Sequence, residues 1–206
     1  MLGSQRLAGL ELLRLAGAPT PEYHIVATRR DIDCLARTSP RYGWTIRTCR
    51  TDNVREMGLF YRNYVPPAMA PAILLERLEK KDRVVFLVYP SWEMVFSCNV
   101  VFLDTDVMIE GNYGSQKSVT MGRSVPDFTI KVPFGLRSKL LVLGGKVNLD
   151  VSRYLGRIIY WCRKTCVAEL YAEMAVTTSG ALLFYELFDL ANSSGWGYSP
   201  KKRVVD

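Results

Sequence analysis

The chain has one histidine, His24, in 206 residues, and that scarcity removes whole classes of chemistry. No Ser-His-Asp or Cys-His constellation can be assembled around a single imidazole. His24 opens the apolar run Tyr23–Ala27 with no sequence neighbour to make it a base or a ligand, and it reads as structural. The five cysteines (Cys34, Cys49, Cys98, Cys162, Cys166) are odd in number and scattered. Cys162 and Cys166 stand four apart on a predicted helix and face the same way, half a metal site with no second pair to complete it. They read as reduced packing residues. No apolar run approaches the roughly 20 residues that a bilayer crossing needs. The opening stretch MLGSQRLAGLELLRLAG carries charges inside its apolar part, so neither a signal peptide nor a lipidation signal is read there. The expectation is a cytoplasmic protein with no membrane partner. Phosphate-binding P-loop spacing and a dinucleotide fingerprint are also missing, and Gly144-Gly145-Lys146 reads as a turn before a helix. Repeats and low-complexity segments are absent. The aromatic residues do not fall in the alternating basic–aromatic pattern of an RNA-recognition motif.

What is present begins with charge. Twenty-seven basic and 20 acidic residues give a net charge of +7, and every basic residue before Lys80 is an arginine. Eight of them (Arg29, Arg30, Arg37, Arg41, Arg47, Arg50, Arg55, Arg62) lie between positions 29 and 62, interrupted by four acidic residues. The planar guanidinium fork suits bidentate contacts with phosphate or carboxylate, so this block is either an anion-binding region or an arginine-rich solvated surface.

Hydrophobic periodicity orders the chain. Residues 5–16 read as an amphipathic helix stopped at Gly17, and Pro19 and Pro21 force an extended lead into the strand Tyr23–Ala27. Residues 29–36 are a short helix or loop. Leu35–Arg50 holds two strand-like pieces around a turn at Ser39–Gly43, and in the second piece Arg47 points away from Trp44 and Ile46. A helix over Met69–Leu78, entered through Pro66-Pro67 and closed by Lys80-Lys81, precedes a β-rich stretch: Val84–Tyr89, Val95–Leu103, Val107–Glu110 and Phe128–Val132. A second long helix covers Val151–Arg163, with Asn148 or Asp150 as its N-cap. The polar tail 191–206 closes the chain. This order predicts an α+β protein with antiparallel sheets and packed helices.

The segment Ala168–Asp189 carries two glutamates, Glu173 and Glu186, in strand-like runs on either side of Thr177-Thr178-Ser179-Gly180. A two-residue turn at Thr178-Ser179, or a four-residue turn over Thr177–Gly180, makes them diagonal neighbours. A two-residue turn at Ser179-Gly180 makes them direct partners, and a three-residue loop would split them between faces. Like charges on one face repel unless solvated or bridged, and a divalent cation shared with phosphate oxygens is the functional way to bridge them. The alternative is a solvated face with two unrelated glutamates.

Taken together, the element order and the hairpin make the chain resemble, from about Leu7 to Asp189, the ATP-grasp fold of ATP-dependent ligases and dikinases. Gly17-Ala18-Pro19-Thr20-Pro21 looks like the phrase that announces the first strand of such domains. The resemblance implies a single two-lobed domain over 1–206, with lobes of about 20–85 and 86–190. It implies ATP and Mg²⁺ as cofactors, and a carboxylate acceptor of unknown identity. It assigns the phosphate-holding basic residue to Arg47, with Arg37 or Arg50 competing for that place, and the adenine-contacting strand to Val84–Tyr89, through Val88 and Tyr89. Glu173, Gly180 and Glu186 match the spacing of the metal signature. In that pattern an asparagine stands two residues after the second glutamate; here it is Phe188. No glycine-rich flap is evident, and no counterpart is expected to the domain that often precedes the first helix. The expected function is therefore an ATP-binding protein that, if active, transfers phosphate to a carboxylate. The alternative is a lapsed ATP-grasp scaffold that binds RNA or a ribonucleoprotein through the arginine-rich lobe, so RNA or a protein is the partner expected there.

Overall fold

The computed structural model describes residues 4–52, 59–80, 83–103, 105–114, 125–133 and 140–190. Lys81, Arg55 and the tail 191–206, all singled out in the sequence, lie outside the described residues.

Helix α1 (Gln5–Leu15) begins at an N-cap where the Ser4 hydroxyl accepts from Leu7 N–H, and it buries Arg6, Gly9, Leu10 and Leu13. After β1 (His24–Val26), Thr28 and Asp31 form a reciprocal capping box that starts α2 (Arg29–Leu35). Of the two strand-like pieces expected in Leu35–Arg50, only the second becomes a strand, β2 (Trp44–Arg50). Leu35 ends α2 instead, because the cap fixes the helix from its other end. β3 (Tyr61–Val65), which polar Arg62 and Asn63 hide in the sequence, is followed by α3 (Ala70–Lys80) and β4 (Val84–Pro90). β4 pairs with β1 and β2 in a four-stranded antiparallel sheet of order β1-β4-β2-β3.

The second sheet is built from β5 (Met94–Phe102), β6 (Asp106–Tyr113), β7 (Phe128–Pro133), β8 (Leu141–Gly145), β9 (Leu170–Thr177) and β10 (Leu182–Asp189), all antiparallel, in the order β10-β9-β5-β6-β7-β8. The chain crosses from one sheet to the other at Ser91–Glu93. Helix α4 (Leu149–Lys164) is capped by Asn148, whose side-chain oxygen accepts from Val151 N–H.

Two large apolar clusters organise these layers, with a smaller third around Val101, Tyr171 and Phe188. One face of the first sheet packs Val26, Trp44, Ile46, Phe86 and Val88 on Ile32, Leu35 and Leu74 of the α2 and α3 helices. The other face contributes Cys49, Val85, Leu87 and Tyr89 to a larger core. That core also holds Leu10 and Leu13 of α1, the second sheet, and Val151, Leu155, Ile158 and Cys162 of α4. α1 lies against β10 at close quarters, since a Cβ on Gly9 would stand 1.8 Å from the Leu187 carbonyl oxygen. The Pro19 carbonyl accepts from Phe184 N–H at 2.8 Å, tying the Pro-rich lead to the same strand. No helix among the described residues is long and apolar enough to cross a membrane.

Candidate functional site

The terminal hairpin closes differently from every register that keeps the glutamates together by turn type alone. Thr177 N–H donates to the Ala181 carbonyl, so the loop is the three-residue Thr178-Ser179-Gly180, with Gly180 at φ +82°. Continued regularly, that loop would put Tyr185 opposite Glu173 and turn Glu186 to the other face. Instead the register slips between Phe184 and Glu186: Phe184 pairs with Met174, and Glu186 pairs with Glu173. Tyr185 is the extra residue of a β-bulge, and the bulge returns both carboxylates to one face.

That face meets the first sheet. Arg47 of β2 is 9% exposed, Glu173 8% and Glu186 2%. Arg47 donates through Nη2 to Glu186 Oε2, and its Nη1 stands 3.9 Å from Glu173 Oε2. Arg6 of α1, also buried, donates through Nε to Glu186 Oε1 at 2.9 Å and through Nη1 to the Thr48 carbonyl at 2.8 Å. Tyr171 donates its hydroxyl to Glu173 Oε1 at 2.9 Å, and the Tyr61 ring lies under the Arg47 guanidinium at 5.2 Å. Arg47 of β2 thus bridges the two glutamates, and Arg6 of α1 brings a second guanidinium to Glu186.

The electrostatics of the pair are unequal. Burial, with the charge of Glu186 beside it, pushes the Glu173 carboxyl up to about 7, against the pull of Arg47, the Tyr171 hydroxyl and Arg6. Glu186 is just as buried, but Arg47 and Arg6 outweigh that cost and hold it below the usual carboxylate range. Near neutrality the cluster therefore holds two guanidinium charges against one full carboxylate and one that is partly protonated. Two guanidiniums thus face two carboxylates, and the cluster has no surplus of negative charge.

The sequence-derived candidates divide accordingly. Arg47, Tyr89, Glu173 and Glu186 come together, Tyr89 buried beside Arg47. Arg50, three residues beyond Arg47, falls on the opposite face of β2 and is held by Asp52 at 2.8 Å. Arg37 is exposed beyond the end of α2. Val88 alternates away from Tyr89 and is buried in the α2–α3 core, so it is not at the meeting of the sheets. The arginine block is likewise dispersed: Arg29 and Arg30 are exposed on α2, Arg41 covers the Tyr42 ring, Arg62 is exposed on β3, and Arg47 is buried. Cys162 is buried, whereas Cys166 is exposed beyond the end of α4 with φ 57°, so the two do not share a face. His24 is exposed, its ring edge-on to Trp44 at 5.9 Å.

Arg6 was not among the candidates. Its signal was available: it lies in line with Gly9, Leu10 and Leu13 on the apolar stripe of α1, where a charge has no reason to be unless it meets a partner. Tyr171, two residues before Glu173 on the same strand face, was missed for lack of any pattern that marks a tyrosine. An aromatic cluster adjoins the site, with Trp92 stacked on Tyr89 at 5.4 Å and tilted to Tyr185 at 6.1 Å. The buried indole N–H of Trp92 has no hydrogen-bond partner among the described residues.

The donor set does not fit Mg²⁺ as the residues stand. A hard dication takes several oxygen ligands, yet Glu186 is engaged by two guanidiniums and Glu173 accepts from the Tyr171 hydroxyl. Phe188, where a third ligand was expected, packs against Tyr171 at 6.1 Å. Among the described residues no group of three His, Cys, Asp or Glu side chains could hold a metal ion.

No family model and no curated protein matches the sequence. Solved structures do match it. The ADP complex of purK, an N5-carboxyaminoimidazole ribonucleotide synthetase, superposes over 90% of this chain and 44% of its own, with TM-score 0.57 and 14% identity. D-alanyl-alanine synthetase A from Vibrio cholerae covers 91% of this chain and 55% of its own, with TM-score 0.56 and 13% identity. The ATP-grasp ligase PsnB, complexed with a minimal precursor, covers 98% and 56%, with TM-score 0.51 and 12% identity. The chain spans about half the length of these structures, and at such identities the likeness is one of fold. The fold is that of the ATP-grasp ligases, two antiparallel sheets with packed helices, as the element order implied.

Proposed function

We propose that this protein binds ATP where its two sheets meet, with the Arg47 and Arg6 guanidiniums as counter-charges for the phosphates and the Tyr89–Trp92 cluster beside the base. The observation that carries this reading is the buried Arg6–Glu186–Arg47 arrangement facing Glu173. Two guanidinium charges stand against one full and one partly protonated carboxylate, and the charge-compensating guest of such a cluster is an anion. The unpartnered Trp92 N–H offers a donor to a ring nitrogen, and a buried donor left unpaired favours a ligand that satisfies it. ATP is chosen among anions because ADP and ATP accompany proteins of this fold.

Phosphoryl transfer to a carboxylate acceptor, the activity that the resemblance implies, finds no metal shell in Glu173, Glu186 and Phe188. The reading is therefore nucleotide binding without a divalent cation, and no acceptor is assigned. RNA binding through the arginine-rich lobe, the alternative reading, would rest on the exposed Arg29, Arg30, Arg37, Arg41 and Arg62, since Arg47 is buried. Calorimetry with ATP in the presence of chelator, on wild type and Arg47→Lys, tests the proposal. Binding by wild type and its loss in Arg47→Lys, which keeps the charge but not the fork, is the expected result. Absence of binding to the wild-type protein overturns it.

A further inference from the structure

The outward side of α4 is basic and carries an exposed aromatic ring. Its inward side is spent on Val151, Leu155, Ile158 and Cys162 in the large core. The opposite stripe runs Arg153, Gly156, Arg157, Tyr160, Arg163, Lys164, at helical spacings of three and four, and every one of these residues is exposed. Four positive charges lie along about 16 Å of helix with no carboxylate interleaved. Among the described residues Arg157 and Lys164 stand against rings: Arg157 over Tyr154 at 5.4 Å, Lys164 over Trp161 at 4.8 Å and at the edge of reach of the Tyr160 ring at 5.9 Å. Tyr160 is 55% exposed. An open groove of about 520 Å³ is lined by Gly156, Ile159, Tyr160, Arg163 and Lys164.

Gly156 is the telling residue. Glycine is among the poorest helix formers, and this one sits inside a sixteen-residue helix. Its φ is not in the left-handed region, and a Cβ there would meet nothing within 4 Å. The fold does not require it. A missing side chain on an outward helix face leaves room for another molecule to approach the helix backbone closely.

We infer that this face of α4 binds single-stranded nucleic acid, with Arg153, Arg157, Arg163 and Lys164 along the phosphates and Tyr160 as a stacking platform over the Gly156 groove. Charge complementarity selects a polyanion. The exposed ring beside a backbone-floored groove selects one that has π-faces to stack, the combination by which sequence-tolerant single-strand binders work. The site is separate from the Arg6–Arg47 cluster and does not depend on ATP binding.

The test is fluorescence anisotropy of the full chain with a fluorescein-labelled 12-mer oligouridylate across a salt series, and with its oligothymidylate counterpart. Affinity is expected to fall with salt at a slope of about −0.7 per phosphate contacted. The Arg153→Gln/Arg157→Gln variant lowers that slope by about 1.4. Tyr160→Ala weakens binding by about 10-fold or more with the slope unchanged. Gly156→Ala weakens binding while raising Tm, a combination that damage to the fold cannot produce. The inference is overturned by absent binding at low salt, or by affinity that survives these changes and is lost in Arg29→Gln/Arg30→Gln. Capture of the protein by phosphatidylserine vesicles in place of either oligonucleotide also overturns it.

Discussion

Glu186 faces Glu173 across the β9–β10 ladder because Tyr185 is one residue too many for the strand. A three-residue loop and a β-bulge each shift the side-chain parity by one, and the two shifts cancel. The carboxylate pair is therefore a product of two irregularities, and both are open to test.

Gly180 closes the loop at φ +82°. A side chain in the left-handed region costs about 1–2 kcal/mol, so Gly180→Ala should lower the urea midpoint accordingly with the m-value unchanged. A midpoint equal to wild type would mean that the loop conformation is not the one described.

Glu173 sets a pH dependence of stability whose sign follows from its direction of shift. With its proton held up to about 7 in the folded state against a reference of 4.5, the native protein binds more protons than the unfolded chain across that window. Stability then falls as pH rises through it. Glu186, shifted down, adds stability above its ordinary range and loses it in acid. Thermal melts should show Tm declining between pH 5 and pH 8 in wild type and flattening over that interval in Glu173→Gln. A decline of the same size in the variant would assign the titration to another group.

Arg6 and Glu186 should be strongly coupled. Arg6→Met leaves a buried carboxylate short of one partner, a loss of about 3–5 kcal/mol for a broken buried pair. Arg6→Met combined with Glu186→Gln should lose less than the sum of the single changes, by at least about 1 kcal/mol. Additive losses by chemical denaturation would show that the two side chains do not act as a unit.

Two helical glycines should answer the same substitution with opposite signs. At Gly9 the added methyl meets the Leu187 carbonyl oxygen at 1.8 Å, and forcing α1 off β10 costs about 1–3 kcal/mol. At Gly156 nothing lies within 4 Å, so Gly156→Ala should stabilise by up to about 1 kcal/mol through helix propensity alone. Paired melts of the two variants settle the matter.

Much of this architecture is legible in the sequence, for physical reasons that also explain what is not. The α1 and α4 helices, the β4–β5 and β9–β10 strands and the Asn148 cap carry strong periodicity or cap chemistry. β3 and β8 do not: Arg62 and Asn63 mask the first, and Leu141–Gly145 is exposed throughout, so no alternation marks it. The glutamate pair could be seen in the sequence, but the bulge that aligns it could not, because bulges leave no residue signature of their own. Arg47 could be placed by strand parity. The same parity should have excluded Arg50 and Val88, three residues from Arg47 and one from Tyr89. Arg6 comes from 180 residues away in sequence to reach Glu186, and only its place on an apolar stripe pointed to it.

The central claim, that guanidinium groups take the place of a metal shell at the meeting of the sheets, is tested most directly by titrating ATP into the protein by calorimetry, once with chelator and once with excess Mg²⁺. The account predicts one-to-one binding in both, with dissociation constants within about threefold, roughly 0.7 kcal/mol, of each other. Binding seen only with Mg²⁺ would contradict it.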